Sequence, residues 1–425
     1  MYVRIKKNMS TVTKNDQHSV VPTWVQAKLF ESVLKKEVDN CKQIKEFKVS
    51  PACAPGENYS TVMLRIEITA EKQDGASEAL SFMLKVPHNH EFMKEMRKKF
   101  NVFEVEDFMY RQVMPELEQL YIDNGLAVKF SPRSYQLPTN HDYIMLEDLR
   151  VRNFKNVNRL AGLDRVHVKA VLLTLAQYHA ASAKRIACQG NYPSKYTSGY
   201  LTELHRPMLE GIYRDTCAVW LECVAEYKGH ETYIEDVKNY HNVVVGEFFK
   251  LNNVDDSEFN VLNHGDCCIT NIMFQYDEAG KLCETYLVDN QLPLYGTPAF
   301  DLIYFIFSSA QKEIKIQYFD DFIKFYHDKL IEHLKLLKYP KTLPTLKKIH
   351  MALIKYGGCV GYTSVVNVMG AVLLPPSDDA HFSKFVAAGD EAHRFRKLMY
   401  LNENFRKNAE ELLPWLHNRG ALKLN

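Results

Sequence analysis

The chain has 425 residues, 46% of them hydrophobic and 12% aromatic, with a formal net charge of +1. That is enough apolar material for two or three domains or one bilobal enzyme, and too little net charge for a general nucleic-acid or membrane-surface polyelectrolyte. The nine cysteines form no CxxC pair and the N-terminus lacks an apolar signal core, so a cytoplasmic protein with reduced thiols is expected.

Residues 1–22 are polar and are expected to be flexible, and Met9 offers a second start. Helical periodicity runs over 23–39, with Trp24, Leu29 and Phe30 recurring on one side. A strand-rich block follows. VSPACAPGENYS ends in turn formers, TVMLRIEIT (61–69) alternates as a strand does, EKQDGASEA is a polar turn, and LSFMLKV (80–86) is a second strand. Residues 91–121 read as helix, and SPRSYQLPTNHDYIMLEDL holds two more short strands. The character changes near 147–153, which divides the chain into 1–148 and 149–425. Asp164 is placed to cap a long core helix, and 196–252 is helical and aromatic-rich. FNVLN (259–263) and ETYLV (284–288) are strand-like, and helical patterns dominate from 315. The apolar run 357–374 carries Tyr362, Thr363, Ser364 and Asn367 and ends at two prolines, so it reads as a buried helix and not a membrane span. The expected fold class is α+β: a small mixed α/β N-lobe, then a larger mainly helical C-lobe.

The stretch HGDCCITNIMF (264–274) carries the chemistry. Four residues separate Asp266 from Asn271, a spacing used for phosphoryl transfer in kinase-like folds. There the Asp orients or deprotonates the acceptor hydroxyl and the Asn ligates a phosphate-bound metal. Eighteen residues further on, Asp289 ends an apolar strand, where a carboxylate can bridge Mg²⁺ to nucleotide phosphates. Upstream, Lys85 lies in a strand and Glu106 in the following helix, in the right order for a phosphate-binding lysine held by a carboxylate, with Glu104 as the fallback partner. Gly56, Asn58, Tyr59 and Ser60 form a turn that either covers the phosphates or is an ordinary turn. MLEDL (145–149) is either a simple interlobe linker or a cofactor-binding segment that includes Glu147 and Leu149, its backbone pairing with an adenine edge and Met145 and Leu149 as apolar walls. A zinc site at His264, Cys267 and Cys268 lacks a second ligand cluster, and a vicinal disulfide would be strained. The two cysteines are expected to be packing residues.

HGDCCITNIMF, VDNQ and TPAFDLIYF, with GENYSTVMLRI, FEVEDFMYRQVMPEL, YIMLEDL and LAQYHAAS, resemble the ecdysteroid kinase-like family, which is related to choline and aminoglycoside kinases. The resemblance runs from about Val25 to about Leu413. It implies a bilobal protein kinase-like fold and an ATP- and Mg²⁺-dependent transfer to a hydroxyl of a small, lipophilic molecule such as an ecdysteroid. Nucleic acid and membrane are not expected partners. Under it Asp266 is the catalytic base, Asn271 and Asp289 are metal ligands, Lys85 with Glu106 binds phosphate, and His264 and Asp301 are structural. Two positions depart from the family pattern. Cys268 stands where an aromatic is usual, and Asp289-Asn290-Gln291 replaces Asp-Phe-Gln. These departures leave open a catalytically silent small-molecule binder on a kinase scaffold. A choline- or aminoglycoside-type acceptor is the other alternative, and it would require an acidic pocket.

Overall fold

The computed structural model describes residues 21–52, 61–87, 101–375 and 389–423. It is a mixed α/β structure, with a β-sheet in the N-terminal region and a helical C-terminal part. A short 3-10 turn (Ala27–Phe30) leads into α1 (Glu31–Glu37), so the first helix starts later than its periodicity predicts. Strands β1 (Cys41–Pro51), β2 (Thr61–Lys72), β3 (Ser77–Pro87), β4 (Ser134–Tyr135) and β5 (Ile144–Glu147) form one antiparallel sheet in the order β1-β2-β3-β5-β4.

Alternation decides what each face of this sheet does. Leu64, Ile66, Ile68, Phe82, Leu84 and Val86 point to one side and pack with Phe30, Val33 and Leu34 of the first helix. Lys85, between two of these, must therefore point to the other side. That side is covered by α2 (Val102–Phe108), which runs through a π turn (Met109–Val113) into α3 (Met114–Ile122). Phe103 and Tyr110 pack there on Ile144 and Leu146.

Strand β6 (Phe154–Lys155) follows, then α4 (Arg165–Gln189), whose N-cap Asp164 accepts from the Val166 and His167 amides, as its position predicts. The helices α5 (Arg206–Cys223), α6 (Ile234–His241) and α7 (Val244–Phe249) come next. Strands β7 (Val261–Asn263), β8 (Ile272–Tyr276), β9 (Leu282–Leu287) and β10 (Leu294–Gly296) make two small sheets, β6-β8-β9 and β10-β7. Helix α8 (Ala299–Ser309) is buried along its whole length. Then follow α9 (Lys312–Lys315), α10 (Phe319–Leu336), α11 (Leu346–Thr363), a second π turn (Ser364–Met369), α12 (Gly370–Val372), α13 (Asp390–Leu401) and α14 (Glu403–Asn418). These helices share one large apolar cluster, which also takes in Val105, Met109, Val113 and Leu117 from the α2–α3 helix. The apolar run at 357–374 is helical and mostly buried, and among the described residues no helix is long and apolar enough to cross a membrane.

Candidate active site

The chain leaves β7 at Asn263 and turns at once through His264, Gly265 and Asp266. Asp301, in the first turn of α8, holds that turn: its two oxygens accept from the His264 amide at 2.7 Å and the Gly265 amide at 3.0 Å. The His179 ring nitrogen reaches the same carboxylate at 3.2 Å and its other nitrogen meets the Tyr326 hydroxyl, so the brace is itself braced. Gly265 adopts φ +81°, and a Cβ there would stand 1.7 Å from the Leu292 carbonyl oxygen. Only glycine fits. His264 accepts from the Asp266 amide at Nδ1, so its proton lies on Nε2, which donates to the Val288 carbonyl. Burial lowers the pKa of this imidazole and favours the neutral ring.

The Asp266 carboxylate is held at both oxygens. The Tyr304 hydroxyl donates to Oδ1 at 2.6 Å, and Asn271 Nδ2 donates to Oδ2 at 2.9 Å and to the Asp266 carbonyl at 3.0 Å. Burial pushes the carboxyl up to about 7, against the pull of these two donors, with the Asp289 charge adding to the rise. Asp266 keeps partial exposure although both carboxylate oxygens are tied.

Asn271 and Asp289 meet because they flank one hairpin. Ile272 of β8 pairs with Leu287 of β9, and the Val288 amide donates to the Asn271 carbonyl at 2.9 Å. The eighteen-residue spacing is therefore the length of a β8–β9 excursion. Asp289 takes φ +64°, a left-handed conformation that costs an L-residue about 1–2 kcal/mol. Its carboxylate accepts from Lys85 Nζ at 2.8 Å and from Gln291 Nε2 at 3.0 Å. The same ammonium donates to Glu106 Oε2 at 2.6 Å. Burial lowers the Lys85 pKa, but the Glu106 and Asp289 charges more than offset it, so the lysine keeps its proton. Burial raises the Glu106 carboxyl, with the Lys85 charge opposing.

Lys85 pairs with Glu106 and not with Glu104, which instead binds Lys195 and Tyr196. Glu147 is tied into the sheet: its amide donates to Arg133, and its side chain accepts from Arg152. Leu149 is buried with Phe154 and Tyr286, with Val288 packed against them, one residue from Asp289. Gly56, Asn58, Tyr59 and Ser60 lie outside the described residues. Cys267 and Cys268 are buried free thiols, and burial holds both well above the usual thiol range. Among the described residues no three His, Cys, Asp or Glu side chains cluster to hold a metal alone. Asp289 and the amide oxygen of Asn271 together offer hard oxygen donors, and the Asp289 side chain keeps 31% exposure while its lysine partner keeps 7%. Such a partial donor set suits Mg²⁺, which takes one or two protein oxygens and completes its shell with phosphate and water.

Sequence reasoning missed Tyr304 and Tyr110. Tyr304 stands three residues after Asp301 on the same helix, a spacing that places both on one face. Tyr110 stands four after Glu106, and its hydroxyl accepts from the Asp289 amide at 3.0 Å.

The family model for the ecdysteroid kinase-like family matches residues 55–339, more than half of the chain, and spans every residue of the network just described. No curated protein matches the sequence. The resemblance in HGDCCITNIMF and its flanking segments thus extends over the whole site, and the chain belongs to the ecdysteroid kinase-like family.

Proposed function

We propose that this protein transfers the γ-phosphoryl group of ATP, with Mg²⁺, to a hydroxyl of a small lipophilic molecule such as an ecdysteroid, on a bilobal kinase-like fold divided at about residue 148. One observation carries the reading. Lys85 bridges Glu106 and Asp289, and Asp289 is one hairpin end away from Asn271, which grips Asp266. A phosphate-binding cation, a candidate metal carboxylate and a candidate base form one continuous network.

In this reading Asp266 accepts the proton of the acceptor hydroxyl, and Tyr304 and Asn271 fix its oxygens. A carboxyl near pH 7 is well matched to that task. Lys85 neutralises phosphate charge, and Glu106 holds it in place. Asn271 and Asp289 would hold Mg²⁺, which supplies charge neutralisation of the transferred group when bound. His264 and Asp301 keep the loop in shape. The rings Tyr200, Phe248, Phe300 and Tyr304, with centroids 6.0, 5.9 and 5.8 Å apart, lead to Asp266, but aromatic faces take apolar and cationic groups alike, so the lipophilic acceptor rests on the family resemblance. The free state of every described cysteine supports a reducing, cytoplasmic setting.

The test is an ATP-consumption screen over ecdysteroids, plant sterols, phenols, choline and aminoglycosides, with mass spectrometry of the products. A phosphorylated sterol or phenol supports the reading. A phosphorylated cationic acceptor would replace the substrate class. No turnover together with no stabilisation by Mg-ATP would favour the silent binder.

A further inference from the structure

Tyr110 lies in the π turn Met109–Val113, where the helix from Val102 to Ile122 is locally widened. π turns of this kind recur at functional sites. The residue is fixed at both ends. Its carbonyl accepts from Ser134 Oγ at 3.0 Å, and its hydroxyl accepts from the Asp289 amide at 3.0 Å. The ring is 2% exposed and packs with Phe103, Ile144 and Leu146.

Asp289 gains from this contact. Its left-handed backbone is unfavourable for a residue with a side chain, and its part-buried amide has the Tyr110 hydroxyl as acceptor. A second observation points to the same place. Asn290 is 1% exposed, and neither atom of its amide has a hydrogen-bond partner among the described residues. It lies beside the Tyr110 hydroxyl, close enough to lower that group's pKa against the larger rise from burial. The main chain at Asp289 is thus held by the Tyr110 hydroxyl, and the Asn290 side chain faces that same hydroxyl.

We propose that Tyr110 is a positioning residue for Asp289, its hydroxyl fixing the left-handed turn that presents the carboxylate, so that cation binding at Asp289 depends on the placement of the α2–α3 helix. Glu106 of the same helix holds Lys85, so one helix sets both the lysine and the carboxylate. The inference rests on the assignment of Asp289 as a cation ligand.

The test compares ATP affinity by calorimetry in Mg²⁺ and in EDTA for wild type, Tyr110→Phe and Asp289→Asn. Tyr110→Phe keeps the ring and loses the acceptor. Expected is a loss of about tenfold in the Mg²⁺-dependent part of the affinity, the low end for an outer partner of a ligand, with metal-free affinity unchanged. Faster amide exchange in the peptide containing Asp289 accompanies it. Wild-type magnesium dependence in Tyr110→Phe, with that dependence lost in Asp289→Asn, overturns the role of Tyr110. Wild-type dependence in both overturns the assignment of Asp289 itself. Should Tyr110→Phe not fold, Ser134→Ala frees the Tyr110 carbonyl at a partly exposed position. A smaller loss in the same direction then supports the proposal, and wild-type magnesium dependence refutes it.

Discussion

Gly265→Ala tests the loop without touching any side chain that could do chemistry. The new Cβ would meet the Leu292 carbonyl oxygen at 1.7 Å and its carbon at 2.8 Å, both backbone atoms. The φ of +81° adds about 1–2 kcal/mol for a residue with a side chain. Leu292 has little room to retreat, since β10 begins at Leu294 and Leu294 pairs with Asn263, directly before the loop. The loop must therefore shift, and the two bonds from the His264 and Gly265 amides to Asp301 stretch. Bonds to a charged acceptor are worth about 1.5–3 kcal/mol each. Together the terms come to about 4–8 kcal/mol, a large share of a typical domain's stability. The melting temperature should fall by roughly 10 °C. Asp266 moves with the loop, and displacement by about an ångström costs on the order of 10²-fold in rate. Gly280→Ala is the internal control: φ is +78° there too, but nothing lies within 4 Å of its Cβ. It should cost only about 1–2 kcal/mol and leave activity intact. Urea unfolding and steady-state turnover on the two variants decide the matter. Equal destabilisation by both would refute the steric argument.

Two further outcomes follow from the same network, and a third from a buried lysine outside it. Asp266→Ala should lower turnover by about 10²–10⁴-fold with folding and ATP binding largely retained; full activity would remove Asp266 from the mechanism. Asp289→Ala should abolish metal-dependent nucleotide binding, and an unchanged affinity in Mg²⁺ would argue against its role. Lys315 is buried, donates to the Phe307 carbonyl at 2.8 Å, and is pushed down by burial to about 7. A lowered folded-state pKa means that the unfolded chain binds the extra proton between about pH 7 and the ordinary lysine value, so stability gains from this group as pH rises through that window. Below pH 7 the full cost of a buried charge is present, on the order of 5 kcal/mol. Lys315→Met should therefore compare best with wild type at pH 6 and lose that relative advantage towards pH 10; a pH-independent difference in unfolding free energy would count against it.

Local patterns were legible in the sequence, and long-range partners were not. Lys85 was readable because Leu84 and Val86 fix the face it avoids, and Asp164 because a cap is a local device. Asp266, Asn271 and Asp289 stood out because a hairpin keeps its ends together whatever the rest of the fold does. Strand β1 was missed for a physical reason. It is an edge strand with two register shifts against β2, and only half-buried positions interrupt its exposed lysines and glutamates, so no clean alternation survives. Strand β8 is half hidden inside the motif: its first three residues are the tail of HGDCCITNIMF, and Gln275 and Tyr276 follow it. His179 and Tyr326 lie 122 and 25 residues from Asp301, and nothing local marks them as its partners. Tyr110 was legible only as an apolar position, because the π turn that sets its place beside Glu106 leaves no mark in hydrophobic periodicity.

The two departures from the family pattern bear on whether the scaffold is silent. Asp289 is held by Lys85, Gln291 and Tyr110, and none of those bonds runs through Asn290. Asp266 is held by Tyr304 and Asn271, and the Cys268 thiol, which meets Thr270 at 3.1 Å, also donates weakly to Oδ1 at 3.8 Å. Neither substitution removes one of these holds: Cys268 adds a weak thiol donor to Asp266, and Asn290 faces the Tyr110 hydroxyl. What remains in the network is costly to keep: a left-handed aspartate, a buried lysine–glutamate pair and a carboxyl raised by burial. A binder of apolar molecules needs none of these, and a chain free to lose them would gain stability by replacing them with apolar side chains. Their joint presence in one network therefore supports the proposed phosphotransferase over a silent scaffold. It also directs attention from Asn290 itself to Tyr110, which supplies the hold on Asp289 that Asn290 does not.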